Sequence, residues 1–294
     1  MKKVSIITIN WNSLDETLEL LNSLSKIDYN NYEVIVIDNA SKNKEADIIK
    51  KKFRNVKLLK NKENEGYCKA NNKGIKYALK NGSDYILLLN NDTLVKKNFL
   101  SILVNYYESK KDVGGLSPQI LLHNTHKIWS LGGTHLDIFG ISIMEGKGQN
   151  MIRGEKILNP DFLTGCCLLL SRQLINKVGY LDENFFAYYE DVDYSKRIRD
   201  NGLVLSVLTK SIIWHKKSAS SGIKGSNKLS KNQVYLHMRN SLLLIKKRYN
   251  FPLSLLYILS TILVKGMYLF LHQDKYSYTK QIYGGLKDGI KQKI

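Results

Sequence analysis

Residues 4–89 alternate short apolar runs with segments of helical periodicity, and this alternation restricts the fold more than any other feature. The apolar runs are Val4–Ile9, Tyr32–Ile37, Val56–Leu59 and Tyr85–Leu89. Helical patterns fill the intervals, and in the first interval leucines recur at positions 14, 18, 21 and 24. Strands that alternate with helices form β-α-β units and lie parallel in one sheet. The sequence therefore predicts an α/β fold with a Rossmann-like, mostly parallel sheet flanked by helices.

The pattern loosens after Leu100, where single and paired glycines from Gly114 to Gly148 predict loops and short strands. A further buried strand is predicted at Phe162–Leu170, where Gly165 would allow a close approach to the backbone. A helix is predicted from near Glu190 to Asn201. Helical patterns return at 232–248, 253–271 and 276–290.

The C-terminal part of the chain is strongly basic. Residues 210–294 contain 16 Lys and Arg against two Asp and Glu, a balance of +14, whereas residues 1–209 carry +5. Leu253–Leu271 is mostly apolar, but a lysine such as Lys265 costs about 2.5–3.5 kcal/mol inside a spanning helix. We therefore expect an interfacial amphipathic helix, with Lys246, Lys247 and Arg248 facing anionic headgroups. The alternative is a helical subdomain that packs on the rest of the chain and has solvated lysines.

The N terminus and the cysteines indicate the compartment. Only six residues, Val4 to Ile9, lie between Met1-Lys2-Lys3 and Asn10, and this run is too short for the apolar core of a signal peptide. Cys68, Cys166 and Cys167 lack the spacing of a metal site, and an odd count of this kind is typical of reduced thiols. We therefore expect a cytosolic protein.

Short polar residues follow two of the predicted strands at the point where each strand ends. Asp38 and Asn39 follow the second strand, and Asn90, Asn91 and Asp92 follow the strand at 85–89. Ligands of open α/β sheets bind beyond the carboxyl ends of the strands. Asp38 can therefore accept a hydrogen bond from a base or ribose, and Asp92 can hold a hard cation through oxygen. The alternative is that these acids only form turns or caps.

Three further motifs contain candidate functional residues. Asn64-Glu65-Gly66 precedes a predicted helix whose first N–H groups could receive an anion; the alternative is a simple helix entry with a flexible glycine. Glu190 and Asp191 follow the aromatic run 185–189, which would wall a pocket and raise a carboxyl pKa; the alternative is a solvated helix start. His215 is a candidate ligand for metal or phosphate, although a lone histidine is usually structural.

Six sequence blocks, in this order, resemble the family 2 glycosyltransferases. The similarity is strongest to the bacterial branch of rhamnosyltransferase-like enzymes that build surface polysaccharides. The blocks are Val4–Asn12, Val34–Ser41, Asn64–Asn72, Leu87–Thr93, Thr164–Leu170 and Phe185–Ile198, so the resemblance spans about residues 3–245. It implies a GT-A fold, with a catalytic domain at 1–228 and a basic, helical, membrane-associating region at 229–294. Within the domain it implies a nucleotide-binding half at about 1–100 and an acceptor-binding half at about 101–228.

The resemblance also implies a reaction. A sugar, with rhamnose as one candidate, would move from a UDP- or dTDP-sugar to a saccharide or lipid-linked acceptor with inversion at the anomeric carbon. A divalent cation, Mg²⁺ or Mn²⁺, would assist the reaction. The enzyme would act in the cytoplasm, peripherally attached to an anionic membrane surface, and would bind no nucleic acid.

Matched position by position, Asp191 corresponds to the catalytic base of the family, with Glu190 beside it. The family's DXD metal motif falls on Asn90-Asn91-Asp92, so Asp92 is its remaining metal-binding acid. His215 matches a position that approaches the metal in some members. The nucleotide contacts that the resemblance implies are Thr8, Asn10, Asp38, Asn39, Asn64, Gly66 and Asn91.

Two other function classes stay open at this point. The net charge of +19 and the tyrosine-rich basic tail suggest a nucleic-acid-binding protein, but no recognised motif of that class occurs, and the acidic clusters would repel phosphate without a metal. A nucleotidyltransferase on a similar sheet calls for a glycine-rich basic loop after the first strand. This chain has Asn10-Trp11-Asn12-Ser13 there.

Overall fold

The computed structural model describes residues 1–216, 229–272 and 278–292, with side chains for all of these except 268–272. The strands are β1 (Val4–Asn10), β2 (Tyr32–Asp38), β3 (Lys57–Lys60), β4 (Tyr85–Leu89), β5 (Thr93–Val95), β6 (Val113–Leu122), β7 (Ile128–Ser130), β8 (Gly133–Leu136), β9 (Ile141–Met144), β10 (Ile157–Leu158), β11 (Cys167–Ser171) and β12 (Val204–His215). The helices are α1 (Leu14–Leu24), α2 (Glu45–Lys52), α3 (Gly66–Lys80), α4 (Phe99–Ser109), α5 (Arg172–Val178), α6 (Glu190–Asp200), α7 (Lys231–Arg248), α8 (Leu253–His272) and α9 (Thr279–Lys291). The predicted domain boundary at 228 follows a segment, 217–228, that lies outside the described residues.

One sheet contains most of these strands, in the order β10-β12-β6-β11-β4-β1-β2-β3, with β5 beside β12 and β7 beside β6. The neighbours β4, β1, β2 and β3 are parallel, as are β6 and β12. In contrast, β11 runs antiparallel between β4 and β6, and β8 and β9 form a separate hairpin. The predicted α/β fold with a largely parallel sheet is confirmed. Its parallel half brings the carboxyl ends of β1, β2 and β4 side by side.

Helices cover both faces of this sheet. On one face α1 and α4 pack through residues such as Leu20 and Phe99. On the other face α3, α6 and α7 pack through residues such as Ile75, Ile198 and Leu243. The strands β1, β2 and β4 are buried on both faces over most of their length, which explains why they read as continuous apolar runs rather than as alternating patterns.

β6 is longer than the glycine pattern predicts. Gly114 and Gly115 lie inside this strand, so the expectation of loops and short strands is wrong for this segment, although short strands do follow at β7 to β10. A Cβ at Gly114 would lie 2.2 Å from a methyl carbon of Ile198 on α6. The glycine therefore gives a helix room to pack on the sheet and does not mark a turn.

The C-terminal helices pack against the α/β unit. Lys247 and Arg248, at the end of α7, lie 3.0 and 3.2 Å from the fully buried carboxylate of Asp193 on α6. Lys246 donates to the carbonyls of Ile290 and Gln292 at the end of α9. The prediction that these three cations face lipid headgroups is therefore wrong, because protein acceptors bind them. In the described part of the chain, no helix has both the length and the apolar character needed to span a membrane.

All three cysteines are free thiols and all are buried. Cys68 lies in α3, Cys167 is the first residue of β11, and Cys166 directly precedes it. Burial raises the pKa of each thiol, so the reactive thiolate is disfavoured at neutral pH. The free thiols agree with the prediction from the spacing of the cysteines.

Candidate active site

The carboxyl ends of β1, β2 and β4 are joined by a chain of hydrogen bonds. Asn10 and Asp38 are partners in the parallel register, and the Asn10 amide donates to Asp38 Oδ1 at 3.1 Å. Thr17 of α1 donates to Asn10 Oδ1 at 2.7 Å and accepts from the Asn91 amide at 2.9 Å. The network brings together Asn10, Asp38 and Asn91, all of which were predicted to bind nucleotide, at one edge of the sheet.

Glu45 is a buried acid in this network that the sequence did not reveal. Its Oε2 accepts from the Asn10 amide at 2.9 Å and from the backbone N–H of Ser13 at 3.1 Å. No local pattern marks Glu45, because its environment depends on a residue far away in the sequence. Thr8, two residues before Asn10 on β1, is also buried, and its hydroxyl has no hydrogen-bond partner within the described residues.

Asn39 and Asn64 hold two loops together at the same edge. The Asn39 amide donates to Asn64 Oδ1 at 2.8 Å, and the Gly66 N–H donates to the same oxygen at 3.0 Å. The N–H groups of the next two residues of α3 both donate to the carbonyl of Phe186, at 2.6 and 3.2 Å. The prediction that N–H groups at this helix start receive an anion is therefore wrong, because protein acceptors already bind them. Gly66 lies against the Phe186 ring, where a Cβ would approach to 2.5 Å.

Asp92 and His215, the two predicted metal ligands, meet beside this network. Thr93 of β5 is paired with His215 of β12, and this pairing brings His215 Nε2 to 3.1 Å from Asp92 Oδ1. Both side chains are buried. The ring of Trp129 lies against the imidazole, with the ring centroids 4.3 Å apart. His215 Nδ1 is buried without a hydrogen-bond partner among the described residues.

This donor set fits a divalent ion that takes its remaining ligands from elsewhere. A carboxylate oxygen and an imidazole nitrogen are both ligands that Mn²⁺ accepts, and diphosphate oxygens and water suit such an ion equally. Within residues 1–216, 229–272 and 278–292, no group of three or more His, Cys, Asp or Glu side chains is arranged to hold a metal. A cation held here would therefore depend on a bound ligand.

Glu190 and Asp191 are the first two residues of α6 and directly follow a tightly turned aromatic segment. Phe186, Tyr188 and Tyr189 in this segment all have positive φ, at 58°, 69° and 71°. The turn directs the Glu190 side chain inward, where its Oε2 is buried without a hydrogen bond in the described part of the protein. Asp191 stays partly exposed. The alternative of a solvated helix start is therefore wrong for Glu190.

Backbone hydrogen bonds hold the Asp191 carboxylate. Its Oδ2 accepts from the N–H of Gly165 at 3.2 Å, and its Oδ1 accepts from the N–H of Val192 at 2.9 Å. Burial raises the pKa of Asp191, and these hydrogen bonds oppose part of the rise. Burial, and then the charge of Asp191, raises the pKa of Glu190 well above its ordinary range. Of the two acids, Asp191 is therefore the one that a substrate can reach as a carboxylate.

The short segment 164–166 connects the two acids to the end of β4. Gly165 donates to Asp191, and the carbonyl of Cys166 accepts from the N–H of Asn90 at 2.9 Å. The predicted strand Phe162–Leu170 consequently begins only at Cys167, because its first residues turn toward the acids. Tyr67 Oη donates to the Gly165 carbonyl at 2.6 Å, and a Cβ at Gly165 would lie 2.9 Å from that hydroxyl. Gly165 thus admits the close approach expected from the sequence.

Three relatives are similar over most of the chain. The low-salt glycan biosynthesis hexosyltransferase Agl10 of Haloferax volcanii is 25% identical over 299 residues, covering 99% of this chain and 92% of that protein. The dTDP-rhamnosyl transferase RfbF of Shigella flexneri is 24% identical over 284 residues, covering 93% and 92%. The N-acetylglucosaminyl-diphospho-decaprenol L-rhamnosyltransferase of Mycobacterium tuberculosis is 24% identical over 237 residues, covering 74% and 77%.

Solved structures share the fold. GalNAc-T7 with UDP, GalNAc and Mn²⁺ superposes with a TM-score of 0.69 at 16% identity, covering 99% of this chain and 56% of that one. S. aureus TarS 1-349 in complex with UDP-GlcNAc superposes with a TM-score of 0.65 at 20% identity, covering 98% and 80%. The predicted GT-A fold is confirmed by these likenesses. Residues 5–179, more than half of the chain, match the family model described as Glycosyl transferase family 2. This protein is therefore a member of glycosyl transferase family 2.

Proposed function

We propose that this glycosyltransferase moves rhamnose from a dTDP- or UDP-linked donor to a hydroxyl of a saccharide or lipid-linked acceptor during the synthesis of a surface glycan. The choice of sugar is supported by the names of two relatives, the dTDP-rhamnosyl transferase of Shigella flexneri and the L-rhamnosyltransferase of Mycobacterium tuberculosis. The more general class of hexose transfer is supported by the relative from Haloferax volcanii.

The observation that carries the proposed mechanism is the partly exposed carboxylate of Asp191, held by two backbone N–H groups beside the buried Glu190. Asp191 takes the proton of the acceptor hydroxyl, and a carboxylate of raised pKa takes it more readily. The acceptor oxygen then bonds to the anomeric carbon as the bond to the diphosphate breaks on the opposite face. Because no covalent intermediate on the protein is involved, the configuration at that carbon inverts.

The donor would occupy the edge of the sheet beside the acid pair. We assign its nucleotide to the group formed by Thr8, Asn10, Asp38, Asn39, Asn64, Gly66 and Asn91, most of which lie at the ends of β1, β2 and β4 or in the loops beside them. Asp92 and His215 would hold Mg²⁺ or Mn²⁺ there. Such a cation supplies Lewis-acid stabilisation of negative charge on a diphosphate.

We also propose that the enzyme works in the cytoplasm, attached peripherally to an anionic membrane surface. The outward side of α8 supports this proposal, because Leu256, Leu259, Leu263 and Met267 are each more than half exposed. The basic charges come from the exposed residues Lys280, Lys287 and Lys291 on α9 rather than from 246–248. In this scheme 1–228 is the catalytic domain, with nucleotide and acceptor halves at about 1–100 and 101–228, and 229–294 is the region that meets the lipid.

Replacement of the proposed base tests the mechanism. Asp191→Asn should lower turnover of dTDP-rhamnose or a UDP-sugar by about 10²–10⁴-fold, because the amide cannot accept the proton. Its affinity for the free nucleotide, measured by titration calorimetry with Mn²⁺, should stay near that of the wild type. The matched control is Asp200→Asn, at the exposed end of the same helix. Near-normal turnover by Asp191→Asn would remove Asp191 from the base role.

A further inference from the structure

The segment that leads into the acid pair has a backbone that it would not adopt by itself. We call Phe185–Tyr189 the aromatic loop. Three of its residues, none of them glycine, have φ between 58° and 71°. Side chains disfavour this left-handed conformation, so neighbouring groups must hold it in place. The amide of Asp193 donates to the carbonyl of Tyr189 at 2.9 Å, so the loop conformation sets the first turn of α6 and with it the two acids.

Asn240 of α7 holds the backbone of this loop. The Asn240 side chain is completely buried. Its Nδ2 lies 2.8 Å from the carbonyl of Phe185, 2.8 Å from that of Ala187 and 2.7 Å from that of Tyr188. The two N–H groups of this amide are thus shared among three carbonyls of the aromatic loop. The preceding turn of α7 adds a ring contact, since His237 stacks on Tyr188 with centroids 4.8 Å apart.

Lys265 of α8 holds the side chain of the last residue of the loop. Its Nζ donates to Tyr189 Oη at 2.5 Å and to the carbonyl of His237 at 3.2 Å, and lies 4.7 Å from the centroid of the Tyr189 ring. Tyr189 Oη in turn donates to the carbonyl of Gly140 at 2.8 Å. Burial lowers the pKa of Lys265 to about 7. The lysine that interrupts the apolar pattern of α8 therefore contacts the last residue of the aromatic loop.

We propose that Asn240 and Lys265 are positioning residues for Glu190 and Asp191, and that they act through the aromatic loop. Neither residue belongs to the groups to which we assign the nucleotide, the cation or the proton transfer. Both lie outside residues 5–179, which match the family model. The inference deepens the proposed function, because it takes Asp191 as the base. It gives the C-terminal helices a role in catalysis in addition to any role at a membrane.

The test compares Lys265→Met, which removes the ammonium, with Lys265→Arg, which retains a cation. Lys51→Met, at an exposed position of α2, is the matched control. We expect Lys265→Met to lower kcat by at least about tenfold, because small misplacements of reacting groups have large effects on rate. The KM for the donor and the melting temperature should stay close to those of the control, and Lys265→Arg should recover most of the lost kcat.

Hydrogen exchange supplies a readout that does not depend on activity. Amides of residues 185–195 should exchange at least about tenfold faster in Lys265→Met than in Lys51→Met, because the first turn of α6 opens more often. Asn240→Ala should show the same effect if it folds. The proposal is overturned if exchange is unchanged in Lys265→Met, or if kcat falls without recovery in Lys265→Arg. Should Asp191→Asn stay active while exchange rises in Lys265→Met, the base assignment fails and the positioning role stands.

Discussion

The adjacent carboxyl groups of Glu190 and Asp191 are buried to different extents, and this difference in burial gives them different protonation behaviour. Glu190 is 6% exposed, whereas Asp191 reaches the surface and accepts two backbone hydrogen bonds. Removal from water disfavours the charged form, so the Glu190 carboxyl holds its proton to a higher pH than an exposed glutamate. We expect Glu190 to act by supporting the site and not by accepting a proton from the acceptor.

This difference predicts a pH-dependent stability for Glu190→Gln. The folded-state pKa of Glu190 lies above its ordinary value of 4.5, so the unfolded chain ionises first as the pH rises. The wild type therefore loses stability as the pH rises from 4.5 through the folded-state pKa. Glutamine does not ionise, so the melting temperature of Glu190→Gln relative to the wild type should be higher at pH 8 than at pH 5, about the two ends of the usual stability range.

An exposed glutamate is the control for this comparison. Glu63 is exposed before α3, and Glu63→Gln should shift the melting temperature by the same small amount at both pH values. A Glu190→Gln difference that does not change with pH would show that Glu190 is ionised in the folded protein.

Among the helices, the contact of α9 with α7 depends on the absence of two side chains. Gly285 and Gly289 of α9 lie against the α7 backbone, where added Cβ atoms would approach the carbonyls of Tyr235 and Arg239 to 2.6 and 2.9 Å. The neighbouring Gly284 is different, because its nearest contact would be a ring carbon of Tyr235 at 3.7 Å. A side chain added at Gly285 would therefore disturb the packing of α9 on α7, whereas one added at the adjacent Gly284 would not.

Alanine substitutions at these two glycines should have opposite effects. Gly285→Ala should destabilise the protein by about 1–3 kcal/mol, because the helices must separate or shift. Gly284→Ala should be neutral, or more stable by up to about 1 kcal/mol, because alanine favours a helix over glycine. Urea denaturation of both variants measures the free energies of unfolding. Equal effects at the two positions would contradict the close approach of α9 to α7.

The sequence correctly predicts those strands and helices that the pattern of their own residues indicates. Val4–Ile9 and Tyr85–Leu89 are correctly predicted as strands because strands buried on both faces are short and continuously apolar. β6 is missed because glycines such as Gly114 usually indicate a turn. Here glycine is needed because a larger side chain would clash with Ile198 on α6. α4 is also missed, since its pattern follows a strand end without a clear start signal.

In the candidate site too, the residues that a local sequence pattern marks were predicted and the others were missed. Asp38 and Asp92 were found because each follows an apolar strand in the sequence. Glu45, Asn240 and Lys265 were missed, because nothing beside them indicates what they contact. Asn240 lies between the polar residues Arg239 and Ser241, so no sequence pattern distinguishes it, and only its complete burial in the fold does.

For the molecule as a whole, the C-terminal helices present two different surfaces. The inner surface contains Asn240, Lys247 and Lys265 and faces the catalytic part of the chain. The outer surface of α8 is apolar and faces away from it. The two alternatives from the sequence, a packed subdomain and an interfacial helix, are compatible, because they involve opposite sides of the same helices.

Binding to lipid vesicles tests the outer surface. Leu259 and Leu263 are 58% and 71% exposed, and burial of such side chains contributes roughly 1.5–3 kcal/mol each. We expect Leu259→Glu combined with Leu263→Glu to abolish co-sedimentation with vesicles of phosphatidylcholine and phosphatidylserine. Ile157→Glu, on the edge strand β10, is the control and should bind as the wild type does. Undiminished sedimentation of the double variant would exclude α8 as the lipid-binding surface.

The burial of the three native thiols has a practical consequence for experiments that follow the binding of α8 to lipid. Cys68, Cys166 and Cys167 are enclosed and have raised pKa values, so they react slowly with maleimides in the folded protein. A single cysteine introduced at Leu255, an exposed position near the start of α8, can therefore receive a fluorophore or spin label in the otherwise natural sequence. The motion of that helix could then be recorded without first replacing any residue of the core.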